Sequence, residues 1–365
     1  MNLVLLQASQ NRFWCVVVTS RLLKWRGALR GLRNELNSVN CCRIPLRGGE
    51  IKNKRINTGW IKFTRCYMSD ERLIYDKIMD ETKQAHSTRI ELYKKLEERL
   101  KRPVVSFYHN FNSPASLIDA DVTFLEEILR NSDLKKGAAI IINSPGGNPI
   151  AAERMIKNLR IYCGDKGYYA IIPKMAMSAA ALVCLGSSKI IMSPTSVLGP
   201  VDPQIGEYNP KTKKYEWYSA YNILNGYKKI FNKAEKLNKK LNLEPYLQAL
   251  EDYKPKQIEE YKSYMTLSSD IATNALKTGM LKGKNDVEIQ NNIRMFLTPE
   301  ITKIHQRCIY PQEAKNCGLN IEVIKVTDDF WKNISELHLR MEYYLRLTGA
   351  ANVIETKNLS YARGY

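Results

Sequence analysis

The chain has 365 residues, 44% of them hydrophobic and 25% charged, with a formal net charge of +19. That length accommodates one large domain or two ordinary ones with a sizeable core, and the composition excludes a disordered chain. No apolar run approaches the roughly 18 residues needed to span a bilayer, so no membrane-spanning helix is expected.

The charge is unevenly spread. Residues 1–67 hold 13 Lys/Arg against 2 Asp/Glu, a net of +11, and the remainder nets only +8. The plain reading of 1–67 is a disordered basic extension, or sequence upstream of a functional start at Met68. A targeting segment ranks second and a nucleic-acid contact third. The eight cysteines form no metal-type pair and no disulfide framework, which points to a reducing cytoplasm and to no metal.

From Ser69 to about Arg102 apolar residues recur at helical spacing among charges, and Pro103 stops the helix. "VVSFYH" reads as a strand. "SLIDADVTFLEEILR" reads as a turn and a helix, with Asp119 or Asp121 as N-cap. "GAAIIIN" is a continuous apolar run, as in a strand buried on both faces. Pro-Gly-Gly and a helix from Pro149 to about Cys163 follow. "YYAIIP" is a strand, "MSAAALVCLG" a small-residue helix and "KIIM" a short strand. This alternation predicts parallel strands with right-handed crossovers.

After Gly199 the texture changes. "EYNPKTKKYEWYSAY" suggests an insertion or a hairpin, and 218–243 and 253–281 read as two long helices. The nine lysines of residues 211–240 read as a solvated face. Beyond Asp286 come a helix, the stretch "LTPEITKIHQRCIYPQEAKNCGLNIEVI" and a closing helix through Arg346.

Three local features carry chemistry. In "NSPGG" two glycines end a buried strand. They can leave backbone N–H groups free and let another segment approach, as an oxyanion hole requires; the other reading is a phosphate-binding or packing turn. No Walker lysine follows. In "PKMAMSAAAL" Ser178 stands at a helix start, either as a plain N-cap or as a nucleophile at the positive end of the dipole. In "SVLGPVDPQ" Asp202 sits between Pro200 and Pro203, as a turn aspartate or as a rigid carboxylate able to orient a histidine.

"INSPGG" followed by "AMSAAALVCLGSSKIIMSPTSVLGPVDPQ" resembles the Clp/crotonase superfamily. More narrowly it resembles the serine dehydrogenase proteinase (SDH) family of Clp-fold serine peptidases, over roughly Glu71 to Val323. The resemblance implies an α/β fold, a ClpP/crotonase-like spiral of ββα units with added helices. It also implies a triad in the chain order Ser178, Asp202, His305, with the N–H groups of Gly147 and Ala179 binding the oxyanion and Gly146 as the alternative donor. The Clp order, with its histidine shortly after the serine, cannot operate here, because no histidine lies between His109 and His305. The family pattern carries a second histidine where this chain has Cys308. His86 and His338 read as surface residues, and His109 as the end of a strand. A Ser-Lys dyad is the rival mechanism, with Lys174, Lys189, Lys211, Lys213 or Lys214 as base.

The expected organisation is a basic extension (1–67), a core carrying the nucleophile (68–206), a helical lysine-rich insertion (207–285) and a C-terminal segment with His305 and a closing helix (286–365). The expected activity is peptide hydrolysis by a serine endopeptidase through an acyl-enzyme, with no cofactor. A crotonase-like acyl-CoA enzyme and an inactive oligomeric scaffold are the alternatives. The expected partners are a peptide or protein substrate and further copies of the chain, with no nucleic acid. Membrane association stays open.

Overall fold

The computed structural model describes residues 2–7, 14–19, 78, 81, 85–112, 115–236 and 242–364. Met1–Arg72 and Leu73–Tyr365 form two separate units. In the first, β1 (Asn2–Gln7) and β2 (Trp14–Thr19) pair antiparallel. The rest of the basic extension, and with it the expectation of disorder, lies outside the described residues.

The apolar runs of the second unit become the middle of one sheet. Helix α1 (Ser87–Leu100) leads into β3 (Val104–His109), α2 (Asp119–Arg130) and β4 (Ala138–Asn143). Next come α3 (Pro149–Cys163), β5 (Tyr168–Ile172), β6 (Met175–Ala176), α4 (Ala179–Leu185), β7 (Lys189–Met192) and β8 (Val197–Leu198). A hairpin of β9 (Gln204–Asn209) and β10 (Lys214–Ser219) precedes α5 (Ala220–Glu235), α6 (Glu244–Glu251) and α7 (Pro255–Lys277). The chain closes with α8 (Asp286–Asn292), α9 (Arg294–Leu297), α10 (Pro299–Thr302), α11 (Pro311–Asn316), β11 (Ile321–Val323), α12 (Asp329–Thr348), β12 (Asn352–Glu355) and β13 (Ser360–Arg363).

The main sheet has seven strands in the order β11-β7-β5-β4-β3-β12-β13. The five from β11 to β3 are parallel, and β12 is antiparallel to both of its neighbours. Strand β4 is buried throughout, and its residues divide by parity between two cores. Ala138, Ile140 and Ile142 pack with α2, α3 and α4; Ala139 and Ile141 pack with α1 and α12. The period of two along a strand makes that division, and covering helices on both faces let the run be wholly apolar. Burying each isoleucine is worth roughly 1.5–3 kcal/mol.

Past the sheet the chain bends into short second strands that form a smaller layer. Leu117 bridges Gly147, Ser144 bridges Ala176, β6 pairs in parallel with β8, and Leu198 bridges Ile309. Strand, short strand and helix thus repeat: β4, Ser144–Gly147 and α3, then β5, β6 and α4. This is the expected α/β spiral of ββα units with added helices.

Several expected elements differ in detail. The first helix is described only over Ser87–Leu100, and Lys101 in the left-handed region ends it before Pro103 is reached. Neither aspartate is the N-cap of α2. Ile118 is, and Asp121, in the first turn, accepts the Ile118 N–H at 2.9 Å. The first long insertion helix stops at Glu235, and α6 is a separate helix with a proline in its first turn. The hairpin β12–β13 was not expected; four-residue strands carry too few alternations to read as a period. Among the described residues, no helix is long and apolar enough to cross a membrane.

Candidate active site

The strand ends of the parallel sheet and the small second layer together build one cleft of about 1100 Å³. Ser178, Gly146, Gly147, Ala179 and His305 all line it.

Ser178 sits at the tight turn between β6 and α4, with φ +49° and ψ −125°. That conformation is rare for a side-chain-bearing residue and costs about 1–3 kcal/mol. An ordinary N-cap is extended and bonds back to its own helix; the Ser178 side chain makes no such bond. Its carbonyl, not its hydroxyl, serves the helix by accepting from Ala181 N at 2.8 Å.

The two glycines do different work. A Cβ on Gly146 would stand 2.6 Å from Met177 O and 2.7 Å from Ser178 Cβ, so this position presses directly on the serine turn. A Cβ on Gly147 would stand 2.4 Å from Leu117 O, so this one presses on the opposite wall. Both have positive φ, +97° and +150°. Hydrogen bonds pin the segment between them. Leu117 N donates to Gly146 O at 2.7 Å, and Asn148 N donates to Leu117 O at 2.9 Å. Gly146 N–H is itself occupied, donating to Ser144 Oγ at 3.1 Å. Among the described residues, the N–H groups of Gly147 and Ala179 have no protein acceptor. Two free amides therefore border the cleft beside Ser178.

His305 reaches the site from the far end of the chain. Ile309 pairs with Leu198, with N–O distances of 2.8 and 2.9 Å, and so holds the His305 segment against β8. The loop after β8 is held in turn: Val201 N donates to Phe296 O at 2.7 Å, and Ser268 Oγ donates to Val201 O at 2.5 Å. His305 Nδ1 then lies 2.8 Å from Asp202 Oδ1, across 103 residues of sequence. The Asp202 carboxylate is completely buried and the imidazole 16% exposed. With Nδ1 engaged by the carboxylate, Nε2 is the nitrogen left for other partners. The second oxygen of Asp202 accepts from Ser219 Oγ and from Gln204 Nε2, both at 3.0 Å. Ser219 gave no sequence signal. Gln204 stood inside the quoted "GPVDPQ" without a role.

The rival lysines are elsewhere. Lys174 Nζ pairs with Glu342 at 3.0 Å and Lys189 Nζ with Glu322 at 2.9 Å, while Lys211, Lys213 and Lys214 lie exposed at the turn of the hairpin. None of the five lines the cleft. Of the remaining histidines, His109 is buried 3.6 Å from Asp121, and His86 Nε2 lies 2.7 Å from Thr356 O. His338 is not the surface residue expected of it: only 12% of its side chain is exposed, and it packs on Tyr108. Burial lowers its pKa to about 4. Cys308 stands partly exposed in the His305 segment, its thiol directed at Gln306 O.

The parallel sheet, its second layer and the serine turn define a mixed α/β protein with a central, mostly parallel sheet. Residues 73–223 match the family model of ClpP-like SDH-type serine proteinases, which bears out over that span the resemblance read from the sequence. The span holds Ser178 and Asp202; His305 lies beyond it. An uncharacterized protein of Methanocaldococcus jannaschii is 33% identical over 134 residues, 34% of this chain and 46% of that protein. A second uncharacterized protein of the same organism is 42% identical over 69 residues, 19% of this chain and 23% of that protein. The chain thus spans less than half the length of the curated relatives it matches.

Proposed function

We propose that the chain is a serine endopeptidase acting through Ser178, Asp202 and His305. The observation that carries this reading is the 2.8 Å contact between His305 and a fully buried Asp202, at the wall of the cleft that Ser178 also lines. Such a pair fixes the imidazole tautomer and stabilises the imidazolium that forms on proton transfer. In the proposed reaction His305 Nε2 takes the Ser178 hydroxyl proton as Oγ attacks the peptide carbonyl. The free N–H groups of Gly147 and Ala179 receive the developing oxyanion. His305 then gives the proton to the leaving amine, and water releases the acyl group by the reverse sequence. These steps use only side chains and backbone amides of the chain.

The cleft also suggests a substrate class. Its described walls include Leu117, Ile118, Ile150, Leu182, Ile205 and Trp217, and no Lys, Arg, Asp or Glu. A peptide segment of uncharged, mostly apolar side chains suits such walls, because a charged one would lose hydration without gaining a partner. The same composition argues against an acyl-CoA ligand, whose phosphates would meet no cation there.

A fluorophosphonate probe tests the reading. It is expected to label Ser178 in the wild type, and to label neither Ser178→Ala nor, within the time course, His305→Ala. Equal labelling of wild type and Ser178→Ala would sink the proposal.

A further inference from the structure

Resting on that reading, we infer that Gln204 and Ser219 are positioning residues for Asp202, and that the hairpin they close couples substrate seating to the orientation of the triad. The two residues are direct cross-strand partners at the root of β9–β10. Both donate to the same oxygen of Asp202, at 3.0 Å each, while the other oxygen faces His305. Ala220 N, donating to Pro203 O at 3.0 Å, straps the root to the Asp202 loop. A fully buried carboxylate held at both oxygens cannot rotate about its Cβ–Cγ bond without breaking these bonds. Its orientation is therefore set by the closed rung of the hairpin.

The same hairpin walls the cleft. Gly206 and Trp217 are partners two rungs out, and the period of two places them on the hairpin face that carries Gln204 and Ser219. The Trp217 ring lies so close over Gly206 that a Cβ there would meet it at 3.1 Å, and both residues line the cleft. A side chain seated against Trp217 thus bears on the element that aims the carboxylate.

Removing a donor leaves the buried charge less stabilised. The freed oxygen lets the carboxylate turn and loosens the Asp202–His305 geometry. The test is the second-order rate of fluorophosphonate labelling at Ser178 in the full chain. Ser219→Ala is expected to label about tenfold slower or worse, a loss typical of one hydrogen bond to a charged group. Ser219→Thr, which keeps the hydroxyl, is expected to restore the rate. A folded Ser219→Ala with wild-type rates overturns the inference and leaves the triad reading standing. So does a slower rate that Ser219→Thr does not restore, which would mean a merely structural role. A wild type unlabelled at Ser178 sinks the triad reading and this inference with it. If Ser219→Ala does not fold, Gln204→Ala, at a partly exposed position, carries the same test with the same deciding outcomes.

Discussion

Replacing Gly147 by alanine perturbs the fold and the proposed chemistry at one atom, in ways that can be separated. The new Cβ would stand 2.4 Å from Leu117 O and 2.5 Å from Leu117 N, and both contacts are with backbone, which no rotamer change relieves. The φ of +150° is also a region that residues with a Cβ avoid, at about 1–3 kcal/mol. Relief requires moving the Leu117 wall, which breaks the bonds from Leu117 N to Gly146 O and from Asn148 N to Leu117 O. Each is worth about 1 kcal/mol, so the expected destabilisation is about 3–5 kcal/mol in all. A domain of ordinary stability survives that loss, so the variant can be studied folded. Urea denaturation measures the first effect. The second is the labelling rate at Ser178 in the absence of denaturant, expected to fall about 10²–10³-fold as the displaced amide no longer meets the oxyanion. An unchanged denaturation midpoint would refute the tight fit against Leu117. A folded variant that labels at the wild-type rate would remove Gly147 from the oxyanion site.

Two further predictions concern the scaffold. His338 is held neutral by burial, with Glu342 opposing and Lys174 adding to the downward shift from 6.5 to about 4. The unfolded chain therefore binds the proton first, and stability falls as pH drops from 6.5 towards 4, by about 3 kcal/mol. Urea denaturation across that range should show the slope in the wild type and a shallower one in His338→Phe; equal slopes would refute it. Arg89 and Glu355 form a two-pronged, fully buried pair, at 2.7 and 2.5 Å, that ties α1 to the C-terminal hairpin. Arg89→Met leaves the carboxylate buried without its partner charge and is expected to cost about 3–5 kcal/mol, and Arg89→Met/Glu355→Gln to recover part of it. A single variant as stable as the wild type in urea would contradict that cost.

Much of the central sheet was legible because its signals are local. A short apolar run such as Ala138–Ile142 between turn signals reads as a strand covered on both faces, and short links between such strands and helices favour parallel pairing. Ser178 stood out because a strand exit running into alanines is itself a local pattern. The hairpin β12–β13 escaped, since its place beside β3 depends on a partner more than 240 residues away.

The sequence by itself determined the strand-and-helix order of the core, the glycine pair, and the residue types capable of acyl transfer. Only the tertiary structure decided which of them meet. Ile309 pairing with Leu198 brings His305 to Asp202, and the rung of Gln204 and Ser219 closes over the other carboxylate oxygen. It also divided the glycines, setting one against Ser178 and the other against Leu117. Periodicity records which face of an element is buried. It does not record which distant element covers that face, and hydrogen bonds between such elements form only once the sheet has set their register.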